Sequence, residues 1–131
     1  MVSHDKPDLR KKIENILKID DIRFAAFIDL NGNIIEGRFH EGLVPLEDDE
    51  QRQKFYQELA LRVSTRKRFD VPLGRVKYSA SRREKIVMMS FSYNDIILLI
   101  TAEPNVNIDR LAYKIIQQLG SEWYDYFAKE A

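Results

Sequence analysis

Cysteine is absent from all 131 residues. Disulfides, thiolate nucleophiles and zinc–thiolate sites are therefore excluded by arithmetic, and a reducing compartment suits the composition. Histidine is almost as scarce. His4 stands near the N-terminus and His40 beside Glu41, neither with a second His or Cys at ligand spacing. With so few bases available, and no nucleophile elbow around Ser64, Ser79, Ser81, Ser90 or Ser92, hydrolytic chemistry has no legible centre. The five glycines, at 32, 37, 42, 74 and 120, form neither G-x-x-x-x-G-K-[ST] nor G-x-G-x-x-G, so no nucleotide-phosphate cradle is written here. Also missing is any apolar run approaching the roughly 20 residues of a membrane span. The opening Met1-Val2-Ser3-His4-Asp5-Lys6 lacks the apolar core of a signal peptide. These absences lead us to expect a cytoplasmic, non-enzymatic protein with no cofactor and no metal.

Net charge is missing as well: 21 basic residues balance 21 acidic ones. A whole-protein attraction to nucleic acid or anionic lipid is thus not expected. The distribution is uneven, however. Between Arg62 and Lys85 nine basic residues face two acidic ones, a local excess of 9 − 2 = +7.

What is present is an ordinary globular composition, 44% hydrophobic and 32% charged, sized for one core. Its centre is Ile96-Ile97-Leu98-Leu99-Ile100, an uninterrupted aliphatic segment that must be covered on both sides. The rest of the chain supplies the cover. Leu9, Ile13, Ile16 and Leu17 form one stripe of a helix capped by Asp5 with Pro7 in its first turn. Phe24 to Leu30 reads as a strand, Asn31-Gly32 as a type I′ hairpin turn, and Asn33 to Phe39 as a more polar edge strand. Gly42 and Pro45 mark the loop that leaves it.

Asp48 caps a second helix with Gln51 three residues on, and that role accounts for the acidic cluster Asp48-Asp49-Glu50 without a cation. Phe55, Tyr56, Leu59, Ala60 and Val63 make its stripe, and Phe69 to Gly74 breaks it. Arg75 to Ser81 then alternates, with Val76, Tyr78 and Ala80 on one side. Lys85 to Ser92 is apolar on both faces, Met88 and Met89 included, and Tyr93-Asn94-Asp95 turns it into Ile96 to Thr101. Pro104 ends that strand, Asn107 caps a helix bearing Ile108, Leu111, Ala112, Ile115, Ile116 and Leu119, and Trp123, Tyr126 and Phe127 prolong an apolar face beyond Gly120. The expected fold is α+β, in the order α-β-β-α-β-β-β-α. Its five-stranded antiparallel sheet, of order 2-1-5-4-3, carries helices on both faces. Residues 1–131 form one domain with a core from about 9 to 119 and an aromatic extension over 120–131.

This order resembles the roadblock/LC7 family, a branch of the profilin-like and longin-like folds, from about Leu9 to Leu119. The segments Arg23 to Asp29, Glu41 to Leu46, Leu61 to Lys67 and Tyr78 to Lys85 are similar to an uncharacterised set of small archaeal proteins. The resemblance implies that the first and third helices share one sheet face and the second covers the other. It also implies a homodimer in which second helices meet and third strands pair edge to edge. In function it implies a scaffold or regulatory subunit for larger assemblies or a small GTPase. The interface residues expected on that basis are Phe55, Tyr56, Leu59, Val63, Val76, Tyr78 and Ala80. The competing reading is that the same stripe covers the sheet of its own monomer. Arg62, Arg66, Arg82 and Arg83 are candidates for an acidic partner, with nucleic acid or anionic lipid on the 62–85 segment as the alternative. A small-molecule sensor is a further alternative, for which no converging polar groups mark a cavity.

Overall fold

The structure, a computed structural model, describes residues 5–43 and 45–128; His4 and Val44 of the sequence reading lie outside the described residues. The central aliphatic segment is strand β5 (Ile96–Ala102), flanked by β1 (Ile22–Asp29) and β4 (Val87–Tyr93). β2 (Ile34–Phe39) and β3 (Ser79–Arg82) form the two edges, and the order is β2-β1-β5-β4-β3, antiparallel throughout.

Burying β5 from both sides takes two separate apolar layers. One holds α1 (Lys6–Ile16), α4 (Ile108–Gln117) and α5 (Ser121–Ala128) against Phe27, Met89, Phe91, Leu98 and Ile100. The other holds α2 (Asp49–Arg66) alone, against Phe24, Ala26, Ile28, Ile97 and Leu99. The expected split of helices between the faces is thus present. α1 is tied to edge strand β2 by the Arg10–Glu36 and Glu14–Arg38 ion pairs, at 2.9 and 3.5 Å.

The core runs on past Leu119. Gly120, at φ +91°, breaks the helix after α4 and lets α5 fold back, where Trp123 and Phe127 are fully buried. Trp123 meets Phe27 at 5.8 Å and Tyr93 at 5.2 Å between ring centroids, while Phe127 sits edge-on to Phe91. Trp123 and Phe127 of the aromatic extension are therefore part of the domain interior.

The β1–β2 turn differs from the type I′ expectation. Asn31 does not take a positive φ; Gly32 does, at +86°. The loop is Leu30-Asn31-Gly32, closed by Gly32 N–H to Asp29 C=O (3.1 Å) and Asp29 N–H to Asn33 C=O (2.9 Å), a three-residue hairpin with glycine in the bulge position. Gly32 is also pressed against α2. A Cβ there would stand 2.7 Å from the backbone of Gln57, so both conformation and space require glycine.

Candidate interaction surface

Among the described residues α2 is the one helix whose apolar stripe packs on its face of the sheet, and it lies over β1 and β5. Asp48 holds its start: the Asp48 carboxylate accepts Gln51 N–H at 2.8 Å, and the Gln51 side chain accepts Asp48 N–H at 3.0 Å. The hairpin tip fixes its middle. On the β4–β3 half of the same face the upward side chains are mostly small and polar: Ser90 and Ser92 from β4, beside the apolar Met88, and Ser79 and Ser81 from β3. The result is a groove along one flank of α2. Successive shallow depressions share Phe55, Met88 and Leu99, then Arg66, Ser79 and Ser90. The groove's outer border is β3, which among the described residues pairs with β4 alone, so the strand's far ladder is open there.

The expected interface residues divide around this groove. Tyr56, Leu59 and Val63 are buried against their own sheet, where they pack with Phe24, Ile97 and Leu99. Burial pushes the Tyr56 phenol up to about 12. Phe55 is half-buried on the groove wall and Ala80 is exposed on the open edge. Tyr78 faces the opposite layer, 5.9 Å from the Phe91 ring, and its hydroxyl donates to Asp109 at the start of α4. That bond, with some burial, raises its pKa to about 12. Val76 leaves the face expected for it, because β3 begins only at Ser79; Val76 lines the groove with Val63 and Arg66 instead.

The cations divide too. The Arg66 guanidinium donates to the Ser79 hydroxyl, and Lys67 Nζ to the Asn94 carbonyl at 2.9 Å. Arg75 lies 3.9 Å above the Tyr126 ring. Arg82 donates to the carbonyls of Pro104 and Val106, the latter at 2.7 Å, and so clamps the loop before α4. This is a structural task that the partner assignment for Arg82 did not foresee. Arg62 and Arg83 are exposed, on α2 and at the β3–β4 turn respectively. Met89 is buried as expected, whereas Met88 is half-exposed on the groove floor.

The end of the groove near the start of α2 is apolar, walled by Phe24, Phe39, Phe55 and Leu46, with Arg23, Arg52 and Thr101 at its margin. It is a shallow apolar depression that composition alone did not mark. Among the described residues no group of three or more His, Asp or Glu is placed to hold a metal ion, and no helix is long and apolar enough to cross a membrane.

The profile of a family of unknown function, DUF6659, matches residues 6–131. The chain belongs to that family. No curated protein matches it. Among solved structures, the gliding protein MglB of Thermus thermophilus is similar over 100% of this chain and 96% of its own, at 12% identity and a TM-score of 0.72. MglB of Myxococcus xanthus covers 100% and 98% at 10% identity and a TM-score of 0.70. A roadblock/LC7 domain from Streptomyces avermitilis covers 90% and 96% at 9% identity and 0.64. At such identities the likeness is one of fold: this DUF6659 member has the roadblock/LC7 fold, with the strand order and helix placement described above.

Proposed function

We propose that this DUF6659 protein is a homodimeric, non-enzymatic scaffold or regulatory subunit that acts through docked partners in the cytoplasm. One observation carries the reading: the groove beside α2 opens directly onto an unpaired strand edge. A two-fold axis beside β3 would pair that strand with its copy, and would bring the copy's α2 alongside the first above one continuous sheet. Phe55, Val76 and Ala80 would contact the copy, while Tyr56, Leu59 and Val63 hold α2 in place from below. Further support comes from the roadblock/LC7 likeness, for which a small GTPase is the implied partner class. A solved MglB is described with a tetrameric arrangement, so higher assembly is compatible with the fold.

The test is sedimentation velocity at micromolar concentration. The wild type is expected at twice the 15.5 kDa chain mass. Ala80→Pro, which alters the strand edge, is expected to shift the boundary toward the monomer while circular dichroism keeps its helix signal. A wild type that sediments as a monomer overturns the reading.

A further inference from the structure

Beyond the end of α2 the chain makes a short projection. Residues Lys67–Phe69 form a 3-10 turn and α3 (Asp70–Leu73) a single helical turn, after which Gly74, at φ +82°, reverses the chain with its N–H on the Asp70 carbonyl at 2.8 Å. Its apolar side chains point outward. Val71 is 96% exposed, Leu73 79% and Phe69 47%. Isolated exposed aliphatics are ordinary, but three within five residues on a protruding turn mark a contact surface. The same stretch carries Lys67, Arg68, Arg75 and Lys77, all exposed, with Asp70 as its one acidic residue; Arg68 lies over the Phe69 ring, and Lys67 and Arg75 also contact Asn94 and Tyr126.

That pairing selects an occupant. A second copy using the same patch would set one cationic stretch against another, so the charge opposes self-association here. A nucleic acid would be met by bases stacking on aromatic rings, but the one ring of the patch, Phe69, carries the Arg68 guanidinium 4.9 Å over its face, and the outermost side chains, Val71 and Leu73, offer neither ring nor donor. A bilayer with anionic headgroups satisfies both halves. Aliphatic tips enter the acyl boundary without a shaped pocket, and cations at their base meet lipid phosphates. We propose that the 67–77 projection docks this protein on anionic phospholipid membranes, with Phe69, Val71 and Leu73 inserting and Arg68, Arg75 and Lys77 contacting headgroups. The proposal does not depend on the dimer.

Vesicle flotation tests it, using phosphatidylcholine alone and phosphatidylcholine with phosphatidylserine. The wild type is expected to float with the anionic vesicles and not the neutral ones, less so as salt is raised. The double variant Val71→Ser/Leu73→Ser, which alters only exposed side chains, is expected to bind anionic vesicles at least about tenfold more weakly, with its thermal unfolding unchanged. Arg68→Gln/Lys77→Gln should weaken binding by a similar factor. Val71→Trp gives an independent readout: its emission is expected to shift to the blue on anionic vesicles and to be quenched by brominated lipid. No flotation at low salt overturns the proposal, and so does flotation indifferent to the loss of Val71 and Leu73. Equal wild-type retention on duplex DNA that also ignores the serine variant would transfer the surface to nucleic acid. Displacement by millimolar-range inorganic phosphate with no shift in Val71→Trp emission would reduce it to a soluble anion site.

Discussion

Gly32 is the residue on which the position of α2 turns, because the hairpin tip touches the middle of the helix at one point. Gln53 Nε2 reaches the Gly32 carbonyl at 3.4 Å, and the Gln57 backbone closes over the glycine Cα. Gly32→Ala combines a left-handed φ with a backbone collision and is expected to cost about 2–4 kcal/mol in urea denaturation. Beside it, burial pushes the Asp29 carboxyl up, but hydrogen bonds from Asn33, Asn31 and Gly32 outweigh that and hold it below its usual 3.8. A lowered folded value stabilises the fold above the unfolded pKa, and that contribution is lost as pH falls through the folded one. Asp29→Asn should therefore flatten the acid limb of stability below pH 3.8, read from melting temperature against pH. Tyr56 and Tyr78 act at the other extreme. Their folded values of about 12 lie above the ordinary 10, so the stability they contribute is complete below pH 10 and is lost as pH rises toward 12. Tyr78→Phe should shallow this alkaline limb.

At the scale of elements, period and capping made most of the fold legible. α4 shows why: Asn107 accepts Arg110 N–H at 3.0 Å, and Leu111, Ala112, Ile115 and Ile116 are buried on one stripe. The five-residue aliphatic run announced the central strand in the same way, since nothing but a covered β5 accommodates it. Strand β3 shows the limit. Its alternation begins at Arg75, yet the ladder begins at Ser79, because side-chain period reports which residues could pair and not whether a neighbour is there. The hairpin type was misread for a related reason: Asn-Gly is compatible with two loop lengths, and contact with α2 favours the longer one. α5 left its destination unstated, because an aromatic stripe fits its own core as well as another protein's. Its burial gives a direct expectation. Trp123→Ala should cost about 3–5 kcal/mol in chemical denaturation, a loss that a peripheral docking tail would not produce.

At the scale of the whole molecule the candidate surface was only half visible. Phe55 and Ala80 stand out in the sequence because apolar spacing and an amphipathic edge are local properties, and both are proposed contacts. The structural work of Arg82 could not, since its carbonyl partners lie 22 and 24 residues away on another loop. The same distance hid the groove, which exists because one helix is asked to cover five strands. Its serine floor reads in sequence as ordinary strand polarity. Among the described residues three helices, α1, α4 and α5, pack their apolar stripes on one side of the sheet and α2 alone packs on the other, and the α2 side is where association is expected.

A four-residue border strand with a neighbour on one flank would ordinarily fray, yet Arg82 bolts its far end to the turn before α4. A rail held taut in this way needs no rearrangement to receive another backbone. Assembly should then be limited by how two copies happen to orient on collision, giving one concentration-dependent phase in stopped-flow mixing, and loosening that single guanidinium should add a slower step that concentration does not hasten.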